Sequence, residues 1–389
     1  MKEIMKKQID SIKERLWNIS DYLYEHPELG DQEYESSKIL TEFLSEHQFH
    51  IEMSIAGRPT AFKAVYKGKK SGPVIAYLAE YDALPGVGHG CGHNLIGTMS
   101  CGAGVILSKV IDEVGGTVIV FGTPAEETNG AKVPMAEQGY FNEVDVALMV
   151  HPAGESYASG KSLAMDAIQY AYKGKSAHAA AAPEKGINAL DSVIQLFNGI
   201  NALRQHVPSD VRIHGIIKEG GKVANVVPDY AVVQFYIRAN ERKVLNEVVE
   251  KVNRIAEGAA LMTGATLEIS NYELSYDNMV TNETLSTVFN KNLEEVTGKP
   301  VNPPRGEYGS IDMGNVSHVV PAIHPYIGLG NPNLIAHTKE FADQTITEEG
   351  HKTLVNGALA LAFTGYDVLT NPALLQAIKE EFQRKNNYL

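Results

Sequence analysis

Residues 73–94 read PVIAYLAEYDALPGVGHGCGHN. The opening PVIAYLA is an unbroken apolar run of strand length, the pattern of a strand buried in a sheet. The character then changes. Asp82 is followed by glycines 86, 88, 90 and 92, which alternate with Val87, His89, Cys91 and His93. Open α/β sheets place their ligands at the carboxyl ends of their strands, which is where this segment begins. Glycine permits a sharp path that a β-carbon would block. In an extended segment alternate side chains share a face, so Cys91 and His93 are expected to point the same way. Imidazole and thiolate both suit zinc, but H-x-C-x-H is not a standard structural-zinc spacing. On this stretch alone, a glycine-rich turn with incidental histidines stands beside a metal site.

Two further apolar runs, GTVIVFG (116–122) and VDVALMV (144–150), read as buried strands. Between the first two strands, NLIGTMSCGAGVILSKVI reads as a buried helix. Ahead of them, Ile4, Ile9, Ile12 and Leu16 recur at helical spacing, HPELG (26–30) breaks the pattern, and a second helix runs from Tyr34 to Phe43. Strands alternating with helices predict an α/β fold, a mostly parallel sheet with helices on both faces. Near residue 166 the pattern changes. Strand AIQYAYKG, an amphipathic helix over 187–206, strands VRIHGIIK and YAVVQFYIRA, a helix over 242–261 and strand ATLEISNYEL give β-α-β-β-α-β. That is a compact ferredoxin-like α+β unit. The expected organisation is one domain from 1–165 and 280–389, interrupted by an inserted domain at 166–279. Helices over 283–297, 347–365 and 371–384 and a strand in PAIHPYIGLG complete the first.

The chain has 389 residues and a formal net charge of −13. That charge disfavours nucleic acid and anionic membrane as partners. Two cysteines, Cys91 and Cys101, make no disulfide framework. The first residues, MKEIMKKQIDSIKERL, lack the apolar core of a secretory signal, and no run reaches the length of a membrane span. A cytoplasmic protein is expected.

Other strand ends carry chemistry of the same kind. GTPAEETNG (122–130) holds Glu126 and Glu127, MVHPA ends an apolar strand with His151, and His337 lies in NLIAHTKEF after an apparent strand. Read singly, these are a solvated acidic turn and two ordinary histidines. Read jointly, three successive strand ends deliver Cys91 with His93, Glu127 and His151, and His337 arrives from the far end of the chain. Five such ligands are too few for two closed structural zinc sites. They suit two divalent ions that share a bridging ligand and leave positions open for water. Two rival readings stand beside this one: a cysteine hydrolase with Cys91 as nucleophile, and a metal-retaining protein without catalysis.

The motifs HPELG, EYDALPGVGHGCGHN (80–94), GTPAEETNGAK (122–132), HP (151–152), GKSAHAAAAPEKGINALD (174–191), NVVPD (225–229), GSIDMGNVSHVVP (309–321) and AHTKEF (336–341) occur in that order over nearly the whole chain. In this the sequence resembles the dinuclear-metal amidohydrolases and dipeptidases of the aminoacylase and glutamate-carboxypeptidase superfamily. The similar branch includes auxin-conjugate hydrolases, hippurate hydrolase and p-aminobenzoyl-glutamate hydrolase. The resemblance implies a zinc-peptidase-like catalytic domain with an inserted lid and dimerisation domain. It implies Cys91, His93, Glu127, His151 and His337 as metal ligands, with Cys91 bridging. Glu126 is then the general base and Asp82 a carboxylate that orients the metal site. His178 polarises the substrate carbonyl, in the family from the partner subunit, and Asn225 and Arg238 hold the substrate carboxylate. The implied cofactors are two divalent ions, zinc first, manganese or cobalt otherwise. The implied substrate is a small amide with a free carboxylate, an N-acyl amino acid or a dipeptide, and the implied assembly is a homodimer. The sequence departs from many relatives at Glu80, where they carry a ligand His, so Glu80 is not counted as a ligand. His89 receives no family role and is read as a supporting or structural residue, and Cys101 as a packed one.

Overall fold

In the computed structural model, residues 1–306 and 308–386 are described. The chain divides into two compact units: Met1–Lys161, Met279–Tyr308 and Asp312–Leu389 in the first, Ser162–Asn278 and Gly309–Ile311 in the second.

The first unit opens with α1 (Lys2–Glu25) and α2 (Tyr34–Glu46). Met5, Ile9, Ile12, Leu16, Ile19 and Leu23 form the buried stripe of α1, spaced three and four apart as one helical face requires. Then come β1 (His50–Met53), β2 (Phe62–Lys67), β3 (Val74–Ala79), α3 (His93–Val114), β4 (Thr117–Gly122), α4 (Lys132–Glu137), β5 (Val146–Leu148) and β6 (His151–Ala153). The second unit follows as β7 (Ala164–Lys173), α5 (Ala189–Leu203), β8 (Arg212–Glu219), β9 (Tyr230–Ala239), α6 (Arg242–Thr263) and β10 (Thr266–Asn271). The chain then returns to the first unit through α7 (Glu283–Thr297), α8 (Met313–Ser317), β11 (Ala322–Ile323), β12 (Tyr326–Gly328), α9 (Lys339–Gln344), α10 (Glu348–Thr370) and α11 (Pro372–Asn386).

The first unit's main sheet has the order β1-β2-β4-β3-β5-β11. β4, β3, β5 and β11 are parallel, as expected for buried apolar runs joined by helices. The sequence reading missed β1 and β2, which add antiparallel strands at one edge. FKAVYK puts a lysine at each flank of a short apolar centre, and so carries little of the signal of a buried strand. The expected strand over 144–150 is also corrected. Only Val146–Leu148 belongs to the main sheet, and His151 opens β6 rather than closing β5. β6 pairs with β12 in a separate two-stranded sheet. Pro152, which has no N–H to give, suits that short edge pairing better than a central strand.

By length and composition α3 is apolar enough to cross a membrane, which corrects the expectation that no run is. Its residues are nearly all buried in the first unit, between α1 and α10 on one side and the sheet on the other, so it is a core helix.

The second unit is a four-stranded antiparallel sheet of order β10-β7-β9-β8. Its core gathers Tyr170, Tyr172, Leu196, Phe235, Ile237, Val248 and Val252 from the sheet and from α5 and α6. β8 is an edge strand, and Ile216 and Ile217 on it are exposed.

Candidate metal centre

β4, β3 and β5 are neighbours and run parallel, so their carboxyl ends open at one edge of the sheet. Glu80 and Asp82 follow β3, Glu126 and Glu127 follow β4, and His151 follows β5. The glycine-rich segment is not extended as the alternation suggested. It turns at residues 89–92, and His93 begins α3. Gly92 has φ +78, and a β-carbon there would lie 2.4 Å from Pro152 Cγ, so the position needs glycine on both counts. Cys91 and His93 therefore converge through a turn. His89 is buried with neither ring nitrogen hydrogen-bonded, and lies outside the clustered groups. His337 comes from a turn rather than from a strand end, with φ +66, and its N–H donates to Gly90 O at 2.8 Å.

Three overlapping groups result: Cys91, His93 and His151; Cys91, Glu127 and His337; and His93, Glu126 and Glu127. Within each, the donor atoms lie within 4.8 Å of one another. Cys91 belongs to two of them. Its Sγ is 3.4 Å from His151 Nε2 and 3.5 Å from His337 Nε2, and His337 Nε2 is 3.4 Å from Glu127 Oε1. Tetrahedral ligands with bonds of about 2.0–2.3 Å stand roughly 3.3–3.8 Å apart, so this spacing fits a shared pair of cations. The tautomers fit as well. His93 Nδ1 is 2.9 Å from Asp82 Oδ1, which leaves Nε2 buried and without a hydrogen bond. His151 Nδ1 is 2.7 Å from Pro152 O, which turns its Nε2 lone pair toward Cys91.

The electrostatics favour cations. Burial, with His324 and His93 nearby, lowers the pKa of His151 to about 3, so it stays a neutral ligand. Burial opposes charge on His93, but Asp82 and Glu80 override it and hold that ring well above its ordinary value. Burial also works against ionisation of Glu127, yet His337 and His93 bring it down to about 2. Half-buried Glu126 is pushed well up, by burial and then by the carboxylates of Glu80, Asp312 and Glu127. Raised basicity of this kind is what a proton acceptor needs.

Several supporting residues were not assigned from sequence. Lys132, wholly buried, donates to Glu80 Oε1 at 2.7 Å and to Asp312 Oδ1 at 2.6 Å. Glu80 is thus half neutralised by a lysine, while its Oε2 lies 3.4 Å from His93 Nε2. Glu33 is also wholly buried and accepts from Ala125 N–H and from Thr60 Oγ1, each at 2.9 Å. The motifs containing Lys132 and Asp312 were visible, but a buried ion pair 180 residues apart has no sequence signature.

His178, Asn225 and Arg238 lie in the second unit. His178 is exposed, and its Nδ1 accepts from Ala180 N–H and Ala181 N–H at 3.2 and 3.1 Å, so the neutral ring presents Nε2–H outward. It bridges to Val226, beside Asn225, whose carbonyl accepts from Ala179 N–H at 3.0 Å. Arg238 sits near the other end of β9, its guanidinium 5.4 Å from the Tyr236 ring centre. Asn225 and Val226 precede β9, whereas Arg238 is its ninth residue, roughly 26 Å beyond Tyr230 at about 3.3 Å per residue.

Residues 165–262 match the family model described as a peptidase dimerisation domain. The chain is 36% identical over 394 residues to the Xaa-Arg dipeptidase of Mus musculus, covering 97% of this chain and 91% of the relative. It is 30% identical over 458 residues to a p-aminobenzoyl-glutamate hydrolase chain of Escherichia coli K12, covering 97% and 93%. Among solved structures, an aminobenzoyl-glutamate utilization protein of Klebsiella pneumoniae aligns at TM-score 0.75 and 19% identity, over 92% of this chain and 98% of that one. A dinuclear metal-binding peptidase of the M20 family from Bacillus subtilis aligns at TM-score 0.65 and 23% identity, over 90% and 98%.

Two stability measurements test these supports, with unfolding of the first unit followed through its sole tryptophan, Trp17. Lys132→Met strands two buried carboxylates and is expected to cost about 3–5 kcal/mol, and adding Glu80→Gln and Asp312→Asn recovers part of that. Burial, with Asp82 nearby, raises the pKa of Glu33 from 4.5 to about 7. Its contribution is therefore full below the unfolded-state value and lost as the pH climbs through about 7. Glu33→Gln does not titrate, so it should gain roughly 3 kcal/mol on the wild type between pH 4.5 and pH 8.

Proposed function

The chain belongs to the M20 peptidase family and is a metal-dependent hydrolase of amide bonds, and from that premise we propose how its residues divide the work. Cys91, His93, Glu127, His151 and His337 would hold two divalent ions, and Cys91 is the residue they would share. The observation that carries this is the pair of ligand groups meeting at Cys91. Such ions supply Lewis acidity, which polarises the scissile carbonyl and makes a water acidic near neutral pH. Zinc suits the thiolate and imidazole donors best, with manganese or cobalt as alternatives.

The remaining steps belong to the chain's own groups. Glu126 accepts the proton of the attacking water and delivers it to the departing amine. Asp82 keeps the His93 ring fixed through Nδ1 and the Glu127 backbone fixed through its N–H, at 2.9 and 3.0 Å. His178 offers Nε2–H to the carbonyl oxygen as negative charge builds there. Arg238 forks onto the free carboxylate, and Asn225 assists from beside His178. His178 bridges Val226, which precedes β9, while Arg238 stands near the far end of that strand, and this supports a homodimer in which one substrate meets Arg238 of its own chain and His178 of the partner. The match to a dimerisation domain supports the same assembly. The substrate class is an N-acyl amino acid or dipeptide with a free carboxylate, and the chain works in the cytoplasm, where a free thiol ligand survives.

Removal of metal by a chelator should abolish hydrolysis of a panel of N-acyl amino acids, dipeptides and p-aminobenzoyl-glutamate, and zinc, manganese or cobalt should restore it. Turnover that survives chelation would instead move Cys91 from ligand to nucleophile. Glu126→Gln should retain metal and lose about 10²–10⁴ in kcat.

Mixed dimers test the shared site. His178→Ala and Arg238→Ala chains, each inactive alone, should recover up to roughly a quarter of wild-type activity when co-assembled, because half of the dimers then hold one intact site. No recovery would place both residues on the same side of the site.

A further inference from the structure

Glu126 and Glu127 ride on a turn over residues 124–130, and that turn holds an uncommon backbone conformation. Ala125, immediately before the two carboxylates, has φ +62. An alanine in the left-handed region persists only where its surroundings over-determine it. Here they do. The Ala125 N–H donates to Glu33 Oε1 at 2.9 Å, and Glu33 Oε2 accepts from Thr60 Oγ1, also at 2.9 Å. Arg58 Nη2 donates to Asn129 O at 2.6 Å, while its Nη1 contacts both Asp31 oxygens at 2.8 and 2.7 Å. The same loop reaches the β3 end, where Ala83 N–H donates to Glu28 O at 2.8 Å. Gly30 is packed so closely that a β-carbon there would lie 3.1 Å from Ala125 Cα. The loop between α1 and α2 therefore clasps both strand ends that carry the site.

We infer that Glu33 is a positioning residue, whose buried carboxyl holds Ala125 in the left-handed conformation that aims Glu126 and Glu127 into the metal centre. This rests on the roles proposed above for those two carboxylates. Without the acceptor, Ala125 relaxes toward negative φ. Because the following two residues turn with it, both the proton acceptor and a metal ligand are displaced. Glutamine preserves an acceptor oxygen at the same reach. Aspartate keeps the charge but withdraws the oxygen by one methylene. Glycine at 125 holds φ +62 without help.

The test measures kcat, KM and zinc affinity, the last by competition with a chromogenic chelator. Glu33→Ala should lower kcat roughly 10- to 100-fold at little-changed KM and weaken zinc about tenfold. Glu33→Gln should recover most of both. Ala125→Gly, added to Glu33→Ala, should recover at least about fivefold in kcat and in zinc affinity. A Glu33 needed only to fill its cavity gains nothing from glycine at 125, so failure of that rescue overturns the inference. So does wild-type kcat and zinc affinity in Glu33→Ala. If Glu33→Ala does not fold, Glu33→Asp with and without Ala125→Gly decides by the same criteria. Glu126→Gln in the same assay separates the two levels: full activity there defeats the proposed role of Glu126, whereas its loss beside an unimpaired Glu33→Ala defeats only the positioning role.

Discussion

Both oxygens of the Asp82 carboxylate are committed. One faces His93 Nδ1 at 2.9 Å and the other accepts from the backbone N–H of Glu127 at 3.0 Å. A single buried side chain thereby ties the start of α3 to the turn after β4. The parallel neighbours β3 and β4 bring those two segments to the same edge, but a sheet fixes only where strands end. What the loops do beyond the last ladder bond is settled by side chains such as this one. With Asp82 on one flank of the turn and Glu33 on the other, the peptide groups around Glu126 have little freedom left.

The second constraint is charge. Glu80, Asp82, Glu126, Glu127 and Asp312 crowd one region, and the fixed protein cation among the hydrogen-bonded partners is Lys132. Burying that much negative charge is costly unless it is compensated. Lys132 draws Glu80 down to about 2, while burial still pushes Asp312 up to about 6 against the same lysine. The remainder is negative and open on the side of His93 Nε2. Divalent cations held there, as proposed above, would supply the compensation. A histidine at position 80 would leave the ammonium group of Lys132 facing Asp312 alone.

Much of this was legible in the sequence because it depends on local patterns. Apolar runs marked β3 and β4, the change of period marked the second unit, and strand-end residues marked Cys91, His93, Glu127 and His151 as a set. Other features were not legible, for physical reasons. β1 and β2 are short and partly exposed, and charged residues dilute their signal, Glu52 in β1 and Lys63 and Lys67 in β2. The alternation of His89, Cys91 and His93 suggested a shared face, but Gly92 at φ +78 turns the chain and sends His89 elsewhere. Lys132, Asp312 and Glu33 act through partners far along the chain, and spacing carries no information about such pairs. The family resemblance named Arg238 and Asn225 together as holders of a carboxylate; in the chain Asn225 precedes β9 and Arg238 lies near its far end, a placement that only the folded strand reveals.

The rival reading of Cys91 as a nucleophile can be weighed on the same charges. A nucleophilic cysteine works as its thiolate, stabilised by a helix N-terminus, a cation or a charged imidazole. Burial raises the Cys91 thiol pKa far above its ordinary value; the nearby His93 works against that shift, and the carboxylates of Glu127 and Glu126 add to it. His151, whose Nε2 lies 3.4 Å from its sulfur, is held neutral at ordinary pH by its own burial. The protein groups around Cys91 therefore keep it protonated. A bound divalent cation would reverse the balance, since coordination deprotonates a thiol outright. The thiolate form of Cys91 and the presence of metal would then be one condition, and a sulfur shared between two ions would have its charge drawn onto them, which weakens it as a nucleophile. The electrostatics around Cys91 thus supports the proposed ligand role over a nucleophilic one.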